Sequence, residues 1–316
     1  MAKRLAVLIN PTAGRGRAII AGRQVRQDLR AAGHEVVDVT AASAEAAGHK
    51  LRTALRTTGL DAIIAVGGDG VVNLAASAAV EAGVPLALIP AGTGNDIARG
   101  LKIPRKARAD IASLISALDS DVLPVRYVDI AKISGGERYF LSVLTCGLDA
   151  AVNARANGMR IPAGKARYLI ALICELRRYR AYDYEISMSG IDGGRARRRN
   201  LILACVANMA YFGGGMKIAP PASADDGSLH VVLVERVALI KLLWVFPRIF
   251  WGGHVNHPAV EIVKTGKLRI DWGHGSVPPS PFADGEPAGV KPLDVEVVPG
   301  GLRIVDMRTG GSGQSK

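Results

Sequence analysis

The chain has 316 residues, 49% of them hydrophobic and 22% charged, which suits two folded domains with their own cores and excludes general disorder. Its 40 Lys and Arg outnumber 28 Asp and Glu, and the formal net charge of +12 makes polyanions the natural partners. Aromatic residues are only 5% and no nucleic-acid recognition motif occurs, so nucleotide phosphate or an anionic membrane surface is expected rather than nucleic acid.

The first apolar run, Leu5 to Ile9, is cut by Asn10-Pro11, short of the roughly 7–15 residues of a secretory leader core. It reads instead as a strand, followed by Asn10-Pro11-Thr12-Ala13-Gly14-Arg15-Gly16-Arg17 and a helix over Ile19 to Ala32. Val36 to Val39, Ala62 to Val66 and Leu86 to Ile89 are further strands. Helices fall around Ala44 to Thr57, Val72 to Gly83 and Asp110 to Leu118. Alternating strands and helices to about residue 127 predict an α/β domain with a doubly wound parallel sheet.

Beyond that point strands follow one another: Arg138 to Leu144, Asp183 to Met188, Leu201 to Val206, Leu229 to Glu235, Leu268 to Asp271 and Asp294 to Val298. Residues 128–308 are therefore expected to form a β-rich second domain, interrupted chiefly by a helix over Gly164 to Arg178, with 309–316 a disordered tail. Val237 to Trp251 is the strongest candidate span. Lys241, Pro247 and Arg248 break it, and it is shorter than the roughly 20 residues a span needs. A cytoplasmic protein is expected. Cys146, Cys174 and Cys205 lie in or beside apolar sequence without metal-ligand spacing and read as buried thiols.

Two glycine-rich turns each follow a continuous apolar run: Gly67-Gly68-Asp69-Gly70, and Pro90-Ala91-Gly92-Thr93-Gly94-Asn95-Asp96. With the loop from Asn10 to Gly14 they make three strand-to-helix turns, where glycine admits backbone N–H groups close to an anion beside a helix N-terminus. A nucleotide polyphosphate is the expected guest, although no Walker A sequence is present. A dinucleotide fingerprint also suggests itself, with Gly14, Gly16 and Asp38. Its third glycine, needed for close helix packing, falls at Ile19.

Together with Asp225-Asp226-Gly227-Ser228-Leu229 and Ala283-Asp284-Gly285-Glu286-Pro287, these motifs resemble the diacylglycerol kinase catalytic domain family, most of all its soluble actinobacterial members. The resemblance covers residues 10 to 287. It implies an α/β nucleotide domain and a β-sandwich domain, with the active site in the cleft between. The implied reaction is ATP-dependent phosphorylation of the primary hydroxyl of diacylglycerol to phosphatidic acid, with a sphingoid base or another lipid alcohol as the alternative substrate. The expected nucleotide contacts are Asn10, Pro11, Thr12, Ala13, Gly14, Thr40, Gly67, Gly68, Asp69, Gly70, Val71, Val72, Asn73, Thr93 and Asn95, with charge from Arg15 or Arg17. Val71 stands where the family has threonine, which removes a hydroxyl contact to phosphate.

Asp284 and Glu286 alternate, so an extended segment would carry both carboxylates on one face. The resemblance gives this pair the proton acceptor, without separating the two, and gives Asp69 a catalytic place. It further implies a magnesium network through Asp69, Asp96 and Asp129, and a structural Mg2+ site at Ser223, Asp226 and Ser228. A soluble enzyme for so apolar a substrate is expected to visit the inner face of the membrane. Leu169, Leu172, Ile173 and Leu176, with Arg177, Arg178 and Arg180 behind them, are one candidate surface, and Arg195 to Arg199, read as a hairpin tip, another. A homodimer is possible on this reading.

Overall fold

The computed structural model describes residues 1–11, 13–103, 107–134, 138–159, 165–177, 179–272, 278–289 and 291–308. The chain packs as two compact units, one of Met1–Val128 with the segment from Gly300 onward, the other of Asp129–Pro299. The sequence reading gave 300–308 to the second domain. Strand β15, Leu293–Val305, is long enough to pair within the second unit through its first half and with the first unit's sheet at Ile304.

In the first unit β1 (Arg4–Ile9), β2 (Glu35–Asp38), β3 (Ala62–Gly67) and β4 (Leu86–Pro90) form a parallel sheet in the order β2-β1-β3-β4, which the end of β15 extends. Residues Leu5 to Leu8, Ala62 to Val66 and Leu86 to Ile89 are fully buried, as a sheet covered on both faces requires. The helices are α1 (Arg17–Ala31), α2 (Ala44–Thr57), α3 (Asp69–Ala82), the short α4 (Asp96–Gly100) and α5 (Ala107–Leu118). The close helix–sheet approach predicted for a third fingerprint glycine lies at Gly22, where a Cβ would stand 2.3 Å from Ile9 Cδ1, whereas Ile19 is exposed. Asp38 is engaged with Arg26 and Thr40. The dinucleotide fingerprint therefore has no structural counterpart.

The second unit is built on antiparallel pairing. Its strands begin with β5 (Val125–Ile133), which enters from the first unit, then β6 (Arg138–Phe140), β7 (Val143–Gly147), β8 (Tyr182–Met188) and β9 (Arg197–Ala207). They continue with β10 (Leu229–Glu235), β11 (Val260–Thr265), β12 (Lys267–Trp272), β13 (Phe282–Ala283) and β14 (Glu286–Pro287). The pairing β14-β13-β7-β9-β8-β12-β15 branches at β9, which also carries β10 and β11. Tyr184, Leu201, Val206, Val231, Ile270 and Val295 fill its core. Helices α6 (Leu148–Gly158), α7 (Lys165–Leu176) and α8 (Leu239–Val245) interrupt the strands.

The single strand expected at Arg138 to Leu144 is two, because Leu141 and Ser142 turn between β6 and β7. The expected hairpin tip at Arg195 to Arg199 is partly strand: Arg197, Arg198 and Arg199 lie in β9 opposite Ile186, Glu185 and Tyr184. Cys146 and Cys205 are buried, with burial pushing the Cys146 thiol up to about 12, as inert structural thiols require; Cys174 is half-buried.

Candidate active site

The three glycine turns of the first unit lock onto one another. Gly67 O accepts from Ala91 N at 2.8 Å and from Gly92 N at 3.1 Å, so the turn after β3 holds the turn after β4. Gly92 lies so close to Gly68 that an added Cβ would stand 2.4 Å from Gly68 Cα. Gly14, at φ +61, approaches Ala91 O so closely that a Cβ there would stand 2.1 Å away. Arg17 fastens the first turn to the third: Nε donates to Gly14 O at 3.0 Å and Nη2 to Gly92 O at 3.2 Å. Its guanidinium thus orders the loops. Thr12 and the Arg15 side chain lie outside the described residues.

The helices behind these turns differ from their neighbour. α2 is capped by Ser43, whose Oγ accepts from Ala46 N at 3.1 Å, but α1 and α3 start at Gly16 and Gly68 without a side-chain cap. A helix N-terminus without a side-chain cap suits an anion. In the first turns of α3, Val71 and Val72 are buried; a Cβ on Gly67 would meet Val71 Cγ1 at 2.6 Å, so Val71 packs where a hydroxyl would otherwise be offered. Asn73 Oδ1 is buried with no hydrogen-bond partner among the described residues. Thr40 Oγ1 accepts from Ile9 N at 3.2 Å, steadying the end of β1, and Asn10 N donates to Val66 O at 3.2 Å. Thr93 is exposed. Asn95, buried at φ 55, folds its side chain onto Gly92, accepting from Gly92 N at 2.9 Å and donating to Gly92 O at 3.1 Å.

Asp69 Oδ1 accepts from Ile97 N at 2.9 Å, joining α3 to α4. Burial pushes its carboxyl up from the ordinary aspartate value and the neighbouring Asp96 carboxylate adds to this, while backbone N–H donors oppose it. Asp96 is buried and paired with Arg99 at 2.7 Å. Two carboxylates this close suit a cation between them.

In the second unit Asp284 and Glu286 part company. Asp284 has φ 49 and Gly285 φ 86, so the turn between β13 and β14 departs from the extended geometry that would put both carboxylates on one face. Asp284 Oδ2 accepts from Leu141 N at 2.7 Å, and Oδ1 accepts from Ser142 N and Val143 N at 3.0 Å each. The Glu286 side chain is exposed and makes no hydrogen bond or ion pair among the described residues.

Asp129 was expected in a magnesium network with Asp69 and Asp96. It is instead buried within β5 in the second unit, where Oδ2 accepts from Gly227 N at 2.7 Å and the backbone N donates to Ala224 O at 2.6 Å. It anchors the turn that carries Asp226. The fully buried Asn208, which the sequence reading missed, donates to both Asp129 O and Leu141 O.

Asp226 Oδ1 accepts from Ser228 N at 3.0 Å, while Oδ2 lies 2.8 Å from His230 Nε2 and 3.4 Å from Lys264 Nζ. Ser223 O accepts from Asp226 N at 3.3 Å, and Ser223 Oγ bonds Asp225. His230 and Lys264 are opposite one another in the β10–β11 register, which aims an imidazole and an ammonium at one carboxylate. The Asp226 carboxylate and the Ser223 carbonyl, expected to hold a structural Mg2+, thus accept protein hydrogens here. Among the described residues no group of three or more His, Cys, Asp and Glu gathers as a metal site.

Asp149, in the first turn of α6, also escaped the sequence reading. Burial pushes its carboxyl up to about 6 against a hydrogen bond from Thr145, and Asn153 donates to Oδ2 at 3.2 Å. An acid two residues after Gly147, whose φ of 96 breaks β7 from α6, was the available signal.

Both units resemble known proteins. Residues 4–128 match the diacylglycerol kinase catalytic domain, and residues 142–306 match the YegS C-terminal NAD kinase beta sandwich-like domain. The chain is 34% identical over 307 residues to a diacylglycerol kinase of Mycobacterium tuberculosis, covering 97% of this chain and 96% of that protein. It is 28% identical over 274 residues to a diacylglycerol kinase of Bacillus subtilis, covering 85% and 86%. In fold it matches a crystal structure of a diacylglycerol kinase from Bacillus anthracis with a TM-score of 0.73 at 23% identity, over 96% of both chains. With both units matched and one relative alike along nearly the whole length, this chain belongs to the diacylglycerol kinase family of lipid kinases.

Proposed function

We propose that the protein transfers the γ-phosphoryl group of ATP to the primary hydroxyl of diacylglycerol, giving phosphatidic acid and ADP. The observation that carries this reading is the locked trio of glycine turns, which leaves the N-termini of α1 and α3 without side-chain caps. Phosphoryl transfer is catalysed largely by positioning and by stabilising spread charge, and backbone N–H groups fixed by neighbouring loops do both. The hydroxyl oxygen bonds to the γ-phosphorus as the bond to the β-γ bridging oxygen breaks. The hydroxyl proton passes to a carboxylate of the Asp284/Glu286 pair. Asp284 is fixed by its three N–H donors, whereas Glu286 is exposed. A magnesium ion, held by Asp69 and Asp96, would spread the phosphate charge.

A different lipid alcohol, such as a sphingoid base, is the second reading. It is favoured by the 28% identity over 253 residues to a YegS-like lipid kinase of Pseudomonas fluorescens, whose name specifies no substrate. Transfer of radiolabel from ATP across a panel of diacylglycerols, monoacylglycerols and sphingoid bases tests both. Diacylglycerol is expected to give the highest kcat/KM, and Asp69→Ala to abolish transfer in a folded protein. Higher kcat/KM on another alcohol would replace the substrate, and near wild-type turnover by folded Asp69→Ala would remove Asp69 from the site.

A further inference from the structure

The stretch from Leu239 to Trp251 is strongly apolar, and the fold buries none of it: neither α8 nor the following 3-10 turn, Phe246–Phe250, contains a buried residue. Ile240 is 74% exposed, Trp244 71% and Trp251 66%, with Leu239, Leu243 and Phe250 also exposed. So dense an apolar surface on a soluble unit marks an interaction site.

The segment is held firmly in place. At its start Tyr179 OH donates to Val237 O at 2.9 Å and accepts from Val237 N at 3.2 Å. At its end Lys217 N donates to Ile249 O at 2.8 Å, and the buried His254 Nε2 lies 2.9 Å from Ile218 O. The apolar side chains between are therefore presented outward by a fixed frame.

Charge identifies the occupant. From residue 236 to 260 there is no Asp or Glu, while Arg236, Lys241 and Arg248 are interspersed with the apolar residues. Arg248 lies over the Trp244 ring at 4.3 Å, so its stem shares the apolar face while its guanidinium remains available to an anion. Tryptophan and phenylalanine with cations around them suit the boundary between headgroups and acyl chains, and the cations suit lipid phosphate. Of the two faces the sequence suggested, that of Arg197 to Arg199 is largely neutralised, since Arg199 pairs with Glu235 and Glu261 and Arg198 lies 3.8 Å from Glu185; in the other, Arg178 and the Leu169 side chain lie outside the described residues. Among the described residues no helix is long and apolar enough to cross a membrane, so this segment would lie in the interface.

We propose that Leu239–Trp251 is the surface by which the protein docks on an anionic bilayer, its exposed apolar side chains seated at the headgroup boundary and Lys241 and Arg248 on lipid phosphates. The proposal builds on the lipid-substrate reading but is tested without turnover. Trp244 and Trp251 are two of the chain's three tryptophans, and the third, Trp272, is buried. Vesicles containing phosphatidylglycerol should shift tryptophan emission to the blue, and brominated acyl chains should quench it; phosphatidylcholine vesicles should do so more weakly. Because these positions are exposed, Ile240→Ser with Trp244→Ser should keep the wild-type melting temperature. The double variant should lower vesicle partition at least tenfold and leave turnover of a monodisperse short-chain diacylglycerol unchanged. No emission change with anionic vesicles, or unaltered partition of the double variant, would overturn the proposal. So would a lipid-independent blue shift that follows protein concentration with dimer formation, which assigns the face to a second copy. Loss of kinase activity on every lipid with vesicle docking intact would instead overturn the substrate reading alone.

Discussion

Gly92→Ala puts the coupling of the phosphate loops to a direct test. Steric room alone governs this position. The new methyl would stand 2.4 Å from Gly68 Cα, 2.8 Å from Asn95 Oδ1 and 3.0 Å from Gly68 N. Ordinary carbon–carbon contact is about 3.5–4.0 Å, so the turns after β3 and β4 must separate by roughly 1 Å. Overpacking of this kind costs about 1–3 kcal/mol, which in a unit of this size lowers Tm by about 2–12 °C. A displacement of about 1 Å in groups that position a reacting phosphate lowers kcat/KM by around a hundredfold. The comparison is Gly70→Ala, one turn away, where a Cβ meets nothing within 4 Å. That variant should retain or slightly gain Tm, because alanine replaces glycine within α3. Thermal melting together with lipid kinase turnover reads both effects. Wild-type Tm and turnover in Gly92→Ala would refute the locked-loop account. A comparable loss of Tm in Gly70→Ala would show that contact between the turns is not what requires glycine.

Asp284→Asn should cost about 1–3 kcal/mol by presenting an amide to N–H donors of Leu141, Ser142 and Val143, whereas exposed Glu286→Gln should leave Tm unchanged. If the pair accepts the substrate proton, at least one of the two lowers kcat by about 10²–10⁴ with little change in the KM for ATP, and stopped-time assays with melting curves separate the two effects. Asp110 is buried, one of its carboxylate oxygens has no hydrogen-bond partner among the described residues, and burial raises its pKa to about 6. The folded state then holds a proton that the unfolded state has released, so this group's contribution to stability falls as pH rises from about 4 to 6. Asp110→Asn should remove that part of the slope and gain up to about 3 kcal/mol at pH 7, read from urea midpoints between pH 4 and 8; an identical slope in the variant would exclude Asp110 as its source. Because Asp226 is engaged by His230, Lys264 and Ser228 N, removal of divalent cations with a chelator should leave the second unit's calorimetric transition in place. A fall of several degrees that magnesium restores would reinstate a structural ion there.

The three phosphate turns were legible because local chemistry fixes them. Apolar runs such as Ala62 to Val66 can only be covered strands, and glycine directly behind them can only turn the chain into the next helix. The α/β first domain and a β-rich second one followed from the same periodicities, and the sandwich from the family resemblance. Strand β9 was partly hidden because its first residues, Arg197, Arg198 and Arg199, resemble a solvated turn and become strand through pairing with β8. The residues of α4 and α6 were passed over beside stronger glycine signals.

What only the tertiary structure decided involves partners distant along the chain. Asp284 and Glu286 are equivalent carboxylates in sequence, and the difference between them comes from backbone N–H groups more than 140 positions earlier, at Leu141, Ser142 and Val143. Asp226 was expected to hold a metal, and that its carboxylate meets His230 and Lys264 follows from β11 lying beside β10. Likewise the hydropathy of Leu239 to Trp251 fits a core segment as well as a surface one. Its exposure depends on which neighbours the fold supplies, and local sequence carries no record of a neighbour that is absent.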